Sequence, residues 1–197
     1  MKEITDTQIK IMDAALDLFS GNGIRSTTTR AIAERSGFNE LTIFRNFGSK
    51  EGLLEAMIDH HFHVEDLAGS ISSTWSGDMK KDLHAFVNIV RTQFRQREKI
   101  FQLMLRESGN EIVASKLRGF PEFTKIYAVE SISSILGEQK RRDIDVETAS
   151  IFFASYFMRS EMMRAMMGND PFHRIDDRRE EEVVEIFLKG ILKGGAE

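Results

Sequence analysis

No cysteine occurs in this chain, so disulfides and thiolate chemistry are excluded and a reducing compartment is permitted. Prolines number only two, Pro121 and Pro171, and runs of alternating β-branched residues are missing. Little therefore interrupts helices and little favours strands. Long apolar runs are missing too. The longest uncharged runs, such as Thr148 to Met158, have 11 residues, where a membrane helix needs roughly 20. The first ten residues, MKEITDTQIK, hold no apolar signal-peptide core. The expectation is a cytoplasmic protein with no membrane partner. Catalytic signatures fail in the same way: there is no P-loop, no G-x-S-x-G and no paired Glu-x-x-His of the kind a di-iron bundle uses. An enzyme reading has no residues to carry it, and no cofactor is called for.

What is present fits a globular chain. The 197 residues are 41% hydrophobic and 29% charged, enough to bury a real core. Net charge is −4, unevenly spread. Residues 1–50 carry seven basic and six acidic side chains, whereas the rest carries 20 basic and 25 acidic. From Gly23 to Lys50 the balance is five basic to two acidic. A local positive patch on an acidic body can take a polyanion on one face and repel it from the others.

Apolar spacings of three and four predict an all-α chain of about nine helices. The first spans about Asp6 to Asn22, opened by a Thr5/Gln8 capping box and closed by Gly21 and Gly23. Short helices follow at about Thr29–Ser36 and Glu40–Asn46, with Thr27, Thr28 and Asn39 as candidate caps. Ser49 can cap a long fourth helix from Lys50 to near Leu67, and Gly69 to Gly77 reads as a loop. Further helices are predicted at about Met79–Arg97, Glu98–Ser108, Pro121–Leu136, Val146–Met167 and Arg178–Lys193, with Pro121 at a first helical position.

The segment TRAIAERSGFNELTIFRNF, Thr29 to Phe47, joins two short helices by a three-residue turn. Ala33 allows close approach, Gly37 can take a positive φ, and Ile32, Phe38, Ile43 and Phe47 supply anchors. This is a helix-turn-helix pattern, whose second helix lies in the DNA major groove. An ordinary αα-hairpin would show the same spacing. The flanks add to it: Ile9 to Leu54 resembles the TetR family of transcriptional regulators through IKIMDAALDLF, Gly23, TTTRAIAERSGF and LTIFRNFGSKEGLL. The likeness is detailed over the first quarter of the chain and extends to the rest only in length and helical character. It implies an Ω-shaped homodimer with a DNA-binding domain, residues 1–49, and a ligand-binding and dimerisation domain, residues 50–197. Such proteins are usually repressors released from a double-stranded operator by a small molecule.

The candidate DNA-facing residues follow. Thr27 and Thr28 can cap the second helix, and the resemblance implies a phosphate contact near Thr28. Capping and contact can coexist, because a helix N-terminus itself attracts phosphate. Arg30 sits in that helix's first turn, where a cation opposes the dipole, so an external anion would explain it. On the third helix the expected reading face is Asn39, Glu40, Leu41, Thr42, Arg45 and Asn46. Arg45 suits guanine or phosphate, an Asn suits adenine or phosphate, and Leu41 a thymine methyl. Glu40 either offsets the helix dipole or accepts from cytosine N4. Lys50 opens the fourth helix, where the resemblance implies a phosphate-contacting Lys. The sequence departs from the family at Phe44, where a phosphate-binding Tyr is usual, and also at Leu41 and Asn46.

Val146–Met167 is apolar nearly all round, so one face should meet the core and another a partner subunit. With the last helix, whose Arg178 to Glu182 read as a solvated start, it makes an economical four-helix dimer interface. Its candidates are Phe152, Tyr156, Met162, Met166, Val184, Phe187, Leu188 and Ile191, and the resemblance places the interface there too. Fifteen Phe and ten Met suit an adaptable apolar cavity. Phe101, Met104, Tyr127, Phe153, Phe157 and Met163 are candidates to line it, and few buried polar groups are visible. The implied effector is apolar or amphipathic. Two alternatives stay open: a helical adaptor without DNA activity, and a metal-responsive regulator using His60, His61 and His63. The histidines read otherwise as a solvated patch.

Overall fold

A computed structural model describes residues 4–61, 75–137, 144–167 and 177–192. Among the described residues there are nine helices and no β-ladder. They are α1 (Asp6–Asn22), α2 (Thr29–Ser36), α3 (Glu40–Phe47), α4 (Lys50–His61), α5 (Met79–Gln96), α6 (Glu98–Arg106), α7 (Glu111–Leu136), α8 (Val146–Met167) and α9 (Asp177–Ile191). The chain forms two compact units: Met1–His63 with Arg97–Phe120, and Val64–Gln96 with Pro121–Glu197.

The first unit is built around α1. Thr5 and Gln8 close the capping box, with Thr5 N donating to Gln8 Oε1 at 2.9 Å and Gln8 N to Thr5 Oγ1 at 3.3 Å. The inward stripe of Ile11, Met12, Ala15, Leu16 and Phe19 packs against Ile32, Ile43, Leu53, Leu54, Met57 and Ile58. Ile100, Leu103, Met104 and Val113 complete the same core, which is why 97–120 belongs with the N-terminal helices. Charge pairs fasten its rim. Asp17 of α1 holds Arg35 of α2 at 2.9 Å and also Lys99 of α6. The Lys99 hydrogen bond, then that of Arg35, keeps the Asp17 carboxyl below its ordinary pKa. Arg106 donates to the carbonyls of Phe19 and Ser20 at 2.7 and 2.8 Å, satisfying the end of α1.

The second unit packs α5, α8, α9 and the later part of α7. Phe86, Tyr127, Phe153 and Phe157 meet in its core, with ring centroids of Phe86–Tyr127 at 5.8 Å and Phe153–Phe157 at 5.1 Å. Burial pushes the Tyr127 phenol up from its ordinary pKa.

Two expectations need correction. α7 does not begin at Pro121. It starts at Glu111, where Asn110 Oδ1 accepts from Ile112 N at 3.0 Å and Val113 N at 3.4 Å. Val113 is buried and Ile112 and Leu117 pack beside it, so tertiary burial supports the extra turns. Pro121 then costs one interior backbone hydrogen bond rather than opening the helix. The stretch Arg178 to Glu182 is not uniformly solvated either, because Glu180 is only 6% exposed. It meets His84 Nδ1 at 2.7 Å and Arg91 Nη2 at 2.6 Å. Other helix ends differ from the sequence reading by one or two residues, the usual effect of fraying. The continuation of the fourth helix past His61 and residues 62–74 lie outside the described residues.

Candidate nucleic-acid interface

α2 and α3 owe their form to local chemistry. Thr28 Oγ1 accepts from Ala31 N at 3.1 Å and starts α2. Gly37, at φ 79°, ends it in the left-handed conformation that only Gly adopts without strain. Asn39 Oδ1 accepts from Thr42 N at 2.8 Å and starts α3. Ile32, Ala33 and Ile43 are buried where the helices cross, and Phe38 and Phe47 pack against the same core. α3 is thereby held by one face, leaving the opposite face to solvent.

That outer face is more selective than its composition suggests. Asn39 Oδ1 also accepts from Thr42 Oγ1 at 2.9 Å. Asn46 Nδ2 donates back to Thr42 O at 2.8 Å. Glu40 Oε2 accepts from the Thr29 hydroxyl at 2.7 Å, latching the start of α3 to the start of α2. Among the described residues Arg45 has no hydrogen-bond or ion-pair partner, and it is exposed. Leu41 is 76% exposed and Phe44 44%.

The remaining candidates divide. Arg30 is exposed and pairs with Glu34 at 3.2 Å on its own helix. Thr27 is 2% exposed, and its hydroxyl points inward, donating to Gly23 O at 2.8 Å. Lys50 Nζ donates to Ile24 O at 3.0 Å and Thr27 O at 3.1 Å, bracing the loop before α2. Gly52, one turn into α4, is a position that local sequence does not mark. A Cβ there would overlap the carbonyl oxygen of Phe47, the last residue of α3.

The candidates for the other roles are spread over both units. Phe101 and Met104 are buried in the first; Tyr127, Phe153 and Phe157 are buried, and Met163 half-buried, in the second. A small cleft of about 10 Å³ within the second unit is lined by Val87, Arg91, Phe157, Ser160 and Glu161. Only Phe157 of these was legible as a lining residue, because buried charges look like surface ones until their partners are known. Of the interface candidates, Phe152 is 72% exposed and Met166 also exposed. Tyr156, Met162, Phe187 and Leu188 are half-buried, and Val184 and Ile191 are buried within the unit itself. Ile186, off the helical stripe, is exposed as well. His60 and His61 stack edge to face at 5.0 Å, and His63 lies outside the described residues. Burial, then His60, holds the His61 pKa below its ordinary value. Among the described residues no group of three His, Cys, Asp or Glu is placed to hold a metal, and no helix is long and apolar enough to cross a membrane.

The chain is similar to known proteins along its length. Residues 11–57 match the family model described as bacterial regulatory proteins, tetR family. The HTH-type transcriptional regulator YvkB of Bacillus subtilis (strain 168) is 30% identical over 191 residues, covering 94% of this chain and 97% of the relative. Among solved structures, the flavonoid-responsive regulator FrrA superposes with a TM-score of 0.69 at 22% identity, covering 95% of this chain and 98% of that one. The SmeT–triclosan complex does so at 0.68 and 18%, covering 97% and 94%.

Proposed function

The chain belongs to the tetR family of bacterial regulatory proteins, DNA-binding transcription factors rather than enzymes, and on that premise we propose that it is a cytoplasmic repressor that binds a palindromic operator as a homodimer and is released by a small apolar or amphipathic effector. The observation that carries this reading is the outer face of α3. A short helix, capped at its start and anchored by Ile43, presents a guanidinium that has no partner among the described residues. The capped N-terminus of α2 beside it suits a backbone phosphate.

Dimerisation is supported by the large apolar groups that α8 and α9 leave uncovered, Phe152, Met166 and Ile186. A second copy would cover them and supply the second recognition helix that a palindrome needs. The cleft lined by Val87, Arg91, Phe157, Ser160 and Glu161 has room for about one water, so an effector would have to widen it, with Val87 and Phe157 as apolar wall and Arg91, Ser160 and Glu161 as polar end. The names of FrrA and of the SmeT complex refer to small molecules that concern those proteins, which makes a small-molecule effector the natural search here.

Fluorescence anisotropy with the promoter beside the protein's own gene tests the reading. Binding should weaken with salt, with a slope of about −0.9 per phosphate contact, and hydrophobic ligands should reverse it. Absence of salt-sensitive binding there and on other duplexes would instead favour an adaptor. Arg45→Ala should weaken specific binding by roughly 1–3 kcal/mol; unchanged affinity would make Arg45 a bystander. Lys50→Met should lower both DNA affinity and the melting temperature, because its ammonium braces two loop carbonyls. A melting temperature equal to wild type would leave Lys50 a DNA role alone.

A further inference from the structure

α3 and its cap residue carry six residues that composition alone would assign to base reading, but hydrogen bonds inside the protein already hold four of them. Pairing an Asn side chain with adenine needs its oxygen and its nitrogen together. Asn39 has both lone pairs of its oxygen engaged by Thr42, and Asn46 spends one of its two amide protons on the Thr42 carbonyl, which holds its side chain back along the helix. The identity of those partners also fixes which end of each amide is which. The Thr42 hydroxyl has its proton on Asn39. Glu40 is turned back onto Thr29. What remains facing outward is a contiguous triangle at spacings of three and four: Leu41, Phe44 and Arg45.

Resting on the operator reading above, we infer that each half-site is read chiefly through one guanine gripped by Arg45 and one nearby thymine methyl covered by Leu41. Asn39, Glu40, Thr42 and Asn46 set the pose of the helix. Leu41 stands in the first turn, the part of a recognition helix that approaches base edges. An exposed Leu in that turn gains only from an apolar partner. In the major groove the C5 methyl of thymine is the apolar group on display. Arg45 lies one turn further on. Side chains four apart on a helix stand roughly 5–6 Å apart, one to two base-pair rises of about 3.4 Å. The guanine and the thymine should therefore lie within a step or two of each other. Phe44 flanks the pair and, lacking a hydroxyl, adds apolar cover rather than a phosphate bond.

The test uses the full chain and a duplex enriched by it from a random pool. Each thymine in turn is replaced by deoxyuridine, which removes only the methyl. One thymine per half-site should cost wild type about fourfold in affinity, the worth of one buried methyl. Leu41→Ala should bind more weakly but be indifferent at that position. Because Leu41 is exposed, this variant should melt like wild type. In parallel, 7-deazaguanine at one guanine per half-site should weaken wild type and leave Arg45→Ala unchanged. Tolerance of deoxyuridine at every thymine, or an equal penalty in Leu41→Ala, overturns the inference while leaving a DNA-binding regulator intact. A pool with no enriched duplex would overturn the operator reading itself and this inference with it.

Discussion

Gly52→Ala should destabilise the first unit by about 2 kcal/mol, the middle of the range for forcing an extra carbon into a packed site. It should lower that unit's melting temperature by roughly 4–8 °C per kcal/mol lost. The sign is informative because helix propensity points the other way. In an isolated helix Ala is favoured over Gly by about 1 kcal/mol. Here the new Cβ would overlap the Phe47 carbonyl oxygen, with Ser49 Oγ 3.7 Å away. Backbone cannot swing aside as a long side chain can, so the end of α3 must move relative to α4. Gly52 N also donates to Ser49 Oγ at 3.0 Å, a cap that such a movement would stretch. Since α3 presents the candidate reading face, DNA affinity should fall with stability. A thermal melt decides the matter: a variant as stable as wild type, or more so, would show that α3 and α4 need no such close approach.

Glu180→Ala should cost about 1–3 kcal/mol, the range for taking a hydrogen-bond partner from a half-buried polar group. Glu180 ties α9 to α5 through His84 and Arg91, while Glu161 of α8 lies 3.5 Å from Arg91 and 2.9 Å from Arg164. Removing the carboxylate leaves Arg91 to Glu161 at 3.5 Å and His84 to Glu181 at 2.9 Å. Replacing both members, Glu180→Leu with Arg91→Met, should recover most of the loss, because the penalty lies in the half-buried charge that has lost its nearest partner. Urea denaturation of the single and double variants separates the two effects. If the double variant is as unstable as the single one, packing of α9 rather than charge pairing is what Glu180 supplies.

The parts legible in the sequence were those decided within a few residues. Thr5 with Gln8, Thr28, Asn39, Ser49 and Gly37 each act on backbone groups nearby, so α1 to α4 begin, and α2 ends, where those residues say. What escaped depended on distant chain. α7 begins early because Val113 finds the core of the first unit. Glu180 looks like part of a charged surface run until Arg91, 89 positions away, is placed against it. Lys50 suggested an external anion, and what the sequence did not show is that its ammonium also reaches carbonyls 23 and 26 positions back. The outer face of α3 shows both sides: its members could be listed from spacing, but which were already engaged required their hydrogen bonds.

The most direct measurement is selection of bound duplexes from a random pool by the full chain, with sequencing of what is retained. A repressor that reads DNA through α3 as a symmetric dimer predicts an inverted repeat, with half-site centres about 10 base pairs or a multiple apart, retained more weakly by Arg45→Ala and without preference at one guanine per half-site. Recovery of an unenriched pool, or of the same repeat by Arg45→Ala as by wild type, would contradict the account.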